Sequence, residues 1–184
     1  MRFLLLLAVV IATCAAPSDQ PAEPPAPVSE SENTPEARLE AMGITLPTPG
    51  EPVANYVNAV QTGNLMFLAG KGPSLPEGGY VTGKVGRDLT IEEGYEAAKL
   101  TAIQHIAVLK AELGELSRVR RIVKVTGMVN GTEDFLESPA VVNGYSDLMA
   151  EVFGERGKHA RSAVVMQSLP LGIAVEVEVI VEVE

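Results

Sequence analysis

The chain has no tryptophan, two histidines and a single cysteine in 184 residues. One cysteine excludes an internal disulfide framework and a zinc centre built on several thiolates. Two histidines leave little for a His-rich metal site. Bases are scarce, 14 against 24 acids, for a formal net charge of −10. That balance argues against a general grip on nucleic acid, which needs clustered Lys and Arg. No G-x-S-x-G elbow occurs. Gly70-Lys71-Gly72-Pro73 does not fit a phosphate loop, because no helix follows directly and the spacing is wrong. What the chain has is apolar material, 46% of it, enough for the core of one domain.

Residues 1–16 read MRFLLLLAVVIATCAA. One arginine precedes an unbroken apolar run from Phe3 to Ala12, a signal-peptide pattern. The run is too short for a membrane span, which needs roughly 20 apolar residues. Ile11-Ala12-Thr13-Cys14 resembles a bacterial lipobox, with Thr13 where Gly, Ala or Ser is usual. This predicts a lipoprotein-type signal over 1–13 and lipidation of Cys14. The alternative is ordinary secretion with cleavage near Cys14 or Ala16, which Pro17 disfavours. Residues 17–36 hold six of the 13 prolines and five acids with no base. Such a segment buries too little apolar surface to offset its chain entropy. Residues 14–36 are therefore expected as a disordered Pro/Glu-rich tether, and 37–184 as the folded domain. A lipidated tether implies a bacterial cell envelope protein, periplasmic, with membrane contact only through the anchor. In a Gram-negative cell, Ala15 rather than Asp after Cys14 favours outer-membrane sorting.

The domain holds 19 acids and 13 bases, net −6. Its residues predict a short helix near Glu36–Met42 and a strand over Val53–Val60. Leu65–Ala69 is apolar throughout and reads as a strand buried on both faces. Thr90 and Glu93 form a capping box ahead of a long helix. Its apolar stripe runs through Ile91, Tyr95, Ala98, Ala102, Ile106, Leu109 and Leu113, and Gly114 stops it. His105 borders that stripe as a partly buried structural residue. Arg120–Val129 reads as a strand, and a second helix is expected with Ser138 as N-cap and Pro139 at its first position. Arg161–Gln167 and Ile173–Val183 read as a closing hairpin. In the last strand Ile and Val take the odd positions and glutamates most even ones, which gives one core face and one polar face. The order implies an α+β sandwich with both helices on one sheet face.

A tight turn at 169–172 would set Arg161 opposite Ile180 and Val165 opposite Glu176. Arg161, Glu176 and Glu178 would then share the polar face, with Arg161 and Glu176 roughly 13 Å apart. A small carboxylate fits between them. A guanidinium fork grips a carboxylate, and a glutamate orders water or shuttles a proton. The bland alternatives are a solvated strand face or an interface between copies of the chain. His159, two residues before Arg161, could face a pocket mouth, but on its own it reads as a surface residue.

Ala160-Arg161-Ser162-Ala163-Val164, then Leu169-Pro170, then Val175-Glu176-Val177-Glu178 resembles the signature of the RidA/YjgF family. Asn55-Tyr56-Val57 and Leu68-Ala69-Gly70-Lys71-Gly72-Pro73 are similar to its opening strands. The likeness spans about residues 50–184. It implies a chorismate-mutase-like fold and a homotrimer with pockets between subunits. It also implies hydrolysis of reactive imines and enamines to 2-oxo acids and ammonia, with no metal or organic cofactor. On that pattern Arg161 holds the substrate carboxylate and Glu176 positions water. Tyr56, the Gly70 main-chain N–H and Asn143 complete the site. Three positions depart from the pattern: Ala69 replaces a pocket serine, Lys71 an often-found glutamine, and Ala163 a common cysteine. Ala69 and the export signal keep a second reading open, a non-catalytic binder of small carboxylates. A holdase-like trimer is a third. The acidic domain speaks against the endoribonuclease activity sometimes attached to the family.

Overall fold

The computed structural model describes residues 34–52 and 54–184. The expected signal peptide, Cys14 with its lipidation, and the tether as far as Asn33 lie outside the described residues.

The period-two pattern near the C-terminus folds as strand β5, Val175–Val183, with every odd position buried. β5 lies at the middle of a five-stranded sheet. On one side it pairs antiparallel with β2 (Leu65–Lys71), which pairs antiparallel with the edge strand β1 (Ala59–Thr62). On the other side it pairs antiparallel with β3 (Val119–Asn130). Beyond β3 lies the other edge strand, β4 (Ala160–Met166), parallel to β3.

Two long helices cover one face of this sheet. The first, α2 (Ile91–Leu113), opens on the expected capping box. Thr90 Oγ1 accepts from the Glu93 N–H at 3.1 Å, and Glu93 Oε2 accepts from the Thr90 N–H at 2.8 Å. Gly114 ends it at φ 78°, a left-handed conformation that glycine adopts without a Cβ clash. Ala98, Ala102, Ile106 and Leu109 are fully buried beneath it. The second, α3 (Ser138–Phe153), has Glu137 rather than Ser138 as its N-cap. α2 and α3 meet almost backbone to backbone. A Cβ on Gly144 would overlap the Tyr95 carbonyl oxygen, so only glycine lets α3 settle there. The opposite sheet face carries no helix among the described residues.

A third helix, α1 (Pro35–Ala41), precedes the sheet. Thr34 caps it, its Oγ1 accepting from the Ala37 N–H at 3.1 Å. Glu36 accepts from Lys110 Nζ at 2.9 Å and from the Leu116 N–H at 2.8 Å. Thr34, Pro35 and Glu36 therefore belong to the folded domain, not to the tether that their composition suggested. The first strand begins at Ala59, later than Val53. β2 is not buried on both faces: Met66 and Leu68 point into the core, while Phe67 is 42% exposed on the open side.

The expected closing hairpin does not form. α3 connects β3 to β4, and such a crossover returns the chain parallel to the strand it left. β4 thus lies on the outer side of β3, and β5 on the inner side. The connection between them must pass over the end of β3. Asn130 receives it there, buried. Its N–H donates to the Ala174 carbonyl at 2.9 Å, and its Nδ2 donates to the Ile173 carbonyl at 3.1 Å. Leu171, at φ 57°, supplies the left-handed bend. No helix among the described residues is long and apolar enough to cross a membrane.

Gly144→Ala is expected to push α2 and α3 apart and to cost about 2 kcal/mol or more. Urea denaturation of the purified protein measures the loss.

Candidate functional site

Arg161 stands directly opposite Val125 of β3. Residues paired across strands share a face, and Val125 is fully buried beneath the helices. Arg161 therefore turns toward α3 and away from the open face. Its Nη1 donates to Asn143 Oδ1 at 2.8 Å and to Ser146 Oγ at 3.0 Å. Its Nη2 donates to the Pro139 carbonyl at 3.4 Å. Asn143 and Ser146 are three residues apart on α3 and so share a helix face.

Behind Ser146 stands His159. Its Nδ1 lies 2.7 Å from the Gly157 carbonyl, which can only accept, so Nδ1 carries the proton. Its Nε2, 3.0 Å from Ser146 Oγ, then accepts from the serine hydroxyl. The serine oxygen in turn accepts from Arg161. The chain of donors runs one way, and the guanidinium is held at a set angle. Burial, and then the neighbouring guanidinium, hold the His159 pKa below the usual imidazole range, against the hydrogen bond to Gly157. A cleft of about 360 Å³ opens here, lined by Ser146, Asp147, Lys158, His159 and Arg161.

Glu176 belongs elsewhere. It pairs with Met128 of β3 on the open face, where Glu178 pairs with Thr126. Its carboxylate lies against the Cα of Gly70, and any Cβ at position 70 would overlap Oε1. A side chain at position 70 would therefore displace the carboxylate from this place. Burial, and secondarily the like charge of Glu178, push the Glu176 carboxyl above its usual range. Tyr56 is 49% exposed, two residues before Asn58. The Asn58 carbonyl accepts from the Ala69 N–H at 3.0 Å, which places Tyr56 near the same end of β2. Lys71 pairs with Val177 on the helix side, where burial lowers its pKa, and its ammonium donates to Asn58 Oδ1.

The structure therefore joins Asn143 to Arg161, and Gly70 to Glu176, without joining the two pairs. Arg161 is level with Val179 through Val125, two strands across and three residues along from Glu176. The separation is roughly 14 Å at the Cα atoms, with the side chains on opposite faces. The expected register, Arg161 opposite Ile180 and Val165 opposite Glu176, fails because β4 pairs with β3 and not with β5. The shared polar face fails with it. Ser146 was not among the expected site residues, and His159, expected at a pocket mouth or on the surface, stands behind it. Their signals were present: Ser146 is one helical turn from Asn143, and His159 is two residues along the chain from Arg161.

A wider cleft, about 650 Å³, lies beside Lys84, Thr132, Val165 and Gln167. It offers no free cation at Lys84, whose three N–H groups donate to Asn130 Oδ1 and to the carbonyls of Gly131 and Gln167.

A five-stranded mixed sheet with two long helices on one face, and a polar site split between its two sides, defines a chorismate-mutase-like α+β protein. The family profile described as "YjgF/chorismate_mutase-like, putative endoribonuclease" matches residues 36–183. The chain belongs to this YjgF/RidA family. It is 44% identical over 147 residues to Protein TCP17 of Trypanosoma cruzi, covering 79% of this chain and 92% of that protein. It is 32% identical over 142 residues to a 2-iminobutanoate/2-iminopropanoate deaminase of Dermatophagoides farinae, covering 77% and 95%. Among solved structures it resembles Atu1372 from Agrobacterium tumefaciens, a protein of unknown function. The TM-score is 0.77 at 43% identity, over 82% of this chain and 92% of that one.

Glu178→Gln removes a like charge and is expected to lower the Glu176 pKa. Carboxyl 13C titration should show the Glu176 transition moving to lower pH.

Proposed function

We propose that the protein hydrolyses reactive imines and enamines of amino-acid origin to 2-oxo acids and ammonia. The sites are pockets between subunits of a homotrimer. One observation carries this reading: Arg161 and Glu176 lie on opposite faces of the sheet, Arg161 against Asn143 and Ser146 and Glu176 against Gly70. One chain cannot close them on a small substrate. A second copy can, by laying the Glu176 and Gly70 side of one subunit against the Arg161 and Asn143 side of the next. Exposed Phe67, Val164 and Met166 on the open sheet face support burial of that face by another subunit.

In the proposed reaction Arg161 pairs with the substrate carboxylate through its fork, and Asn143 holds the guanidinium. Gly70 N–H and the Glu176 carboxylate hold a water beside the electrophilic carbon, with Tyr56 at the rim. The water oxygen bonds to that carbon while the C=N π pair passes to nitrogen. Glu176 takes a proton from the oxygen and returns it to the nitrogen. The carbinolamine then expels ammonia and leaves the carbonyl. A carboxylate pKa raised by burial suits the proton transfer. Free imines already hydrolyse in water, so positioning supplies the acceleration.

The absence of a hydroxyl at Ala69 favours one other outcome, Arg161-dependent binding of 2-oxo acids without turnover. Calorimetry of the same samples would reveal it. The proposal extends to an envelope location with Cys14 as the lipid anchor. Intact-mass spectrometry of membrane-extracted protein is expected to find an N-terminus at Cys14 that carries acyl mass.

Arg161→Ala and Glu176→Gln are each expected to lower kcat/KM for 2-iminopropanoate, generated in situ, by about 100-fold. Co-refolded in equal amounts, the two variants should recover roughly a quarter of wild-type activity, because one interface in four then carries both intact halves. A mixture as inactive as its parents would place both residues in one subunit's site.

A further inference from the structure

β2 runs in register with β5 as far as Leu68, which faces Val179, and resumes at Lys71, which faces Val177. Ala69 and Gly70 thus oppose the single residue Glu178. Two residues against one is a β-bulge, a feature that re-aims the backbone. The Ala69 N–H still bonds sideways to Asn58 in strand fashion. Its carbonyl does not stay in the sheet plane. It lies 3.1 Å from Nε2 of His105, a residue of α2 in the helix layer.

A trans peptide is planar and holds its C=O and N–H antiparallel. A carbonyl drawn up toward α2 turns the N–H of the next residue down, through the sheet, to the open face. That next residue is Gly70, and the open face is where the Glu176 carboxylate lies against its Cα. Donor and acceptor then stand side by side. The pair matches a water molecule, whose oxygen accepts from the N–H and whose hydrogen donates to the carboxylate.

His105 is built for this task. It is fully buried, and both ring nitrogens are committed. A carbonyl only accepts, so Nε2 must carry the proton toward Ala69. Nδ1 then accepts from the Tyr145 hydroxyl, 3.0 Å away and equally buried. The two rings meet edge to face, with centroids 5.7 Å apart. Burial, with a smaller contribution from the Lys71 ammonium, holds the imidazole neutral by pushing its pKa down to about 4. A neutral ring with one donor and one acceptor is what these two partners need.

We propose that His105, oriented by Tyr145, is a positioning residue that holds the Ala69–Gly70 peptide across the sheet and so presents the Gly70 N–H beside Glu176. The consequence for turnover rests on the deaminase reading above; the consequence for the backbone does not. His105→Leu removes the donor, whereas His105→Gln returns an amide N–H. Both variants are compared with wild type as the full folded oligomer, with 2-iminopropanoate generated in situ and with amide and imidazole 15N spectra. His105→Leu should shift the Gly70 amide resonance and lower kcat about tenfold or more, with KM within about twofold because Arg161 still grips the carboxylate. His105→Gln should recover most of both effects. The wild-type imidazole should show the Nε2–H tautomer from neutral pH down to about 5, below which its pKa of about 4 begins to intrude. An Nδ1–H tautomer would overturn the proposal without any substitution, which covers the case of a Leu variant that does not fold. A Gly70 amide unmoved in folded His105→Leu would also overturn it. So would activity that follows only the folded fraction in both variants. A wild type without turnover would remove the deaminase reading, while the amide and tautomer spectra would still decide the role of His105.

Discussion

The parallel pairing of β3 with β4 is the constraint on which the rest of the site depends. α3 must span the two strands, and so it lies over them on one face. That crossover sends β4 to the outer edge and leaves the middle of the sheet for β5. It sets Arg161 under α3, within reach of Asn143 and Ser146. It leaves Glu176 on the face that α3 does not cover. A hairpin of β4 and β5 would have placed the two residues on neighbouring strands of one sheet face. The crossover separates them, and the separation is what calls for a second subunit in the proposed reaction.

The two histidines of the chain serve the two halves in the same manner. Burial lowers the pKa of each. Each donates to a backbone carbonyl and accepts from a hydroxyl of α3, Tyr145 for His105 and Ser146 for His159. Those hydroxyls belong to adjacent residues, and Tyr145 also meets the His159 ring edge to face, with centroids 6.4 Å apart. A short stretch of α3 therefore stands behind both Arg161 and the Gly70 peptide. A protonated imidazole would break this order, because it has no lone pair left for a hydroxyl. The acidic balance of the chain is compatible with such a site, which needs one well-oriented cation and not a basic surface.

Much of the architecture was legible because it rests on local patterns. The capping box at Thr90 and Glu93, the stripe through Ala98, Ala102, Ile106 and Leu109, and the alternation of β5 each follow from periodicity and backbone hydrogen-bonding needs. The pairing of β4 was not legible. Two amphipathic strands joined by Leu169-Pro170-Leu171-Gly172 look like a hairpin, and nothing local says that the segment passes over Asn130 to reach the far side of β3. The edge of the tether was misplaced for a similar reason. Pro35 and Glu36 have a linker's composition, but Glu36 finds Lys110 and the Leu116 N–H only once α2 is in place.

The sequence by itself determined the helices, the two faces of β5, and the residue types of the candidate site, because these depend on spacing along the chain. It also carried the family likeness through Arg161, Gly70 and Glu176. Only the tertiary structure decided which residues stand together. It joined Arg161 to Asn143 and Ser146, laid Glu176 on Gly70, and turned the Ala69 carbonyl up to His105. Those contacts join positions far apart in number, and they follow from strand order and from a one-residue bulge. A slip of one residue moves a side chain to the opposite face of a sheet, so no count along the chain can supply them.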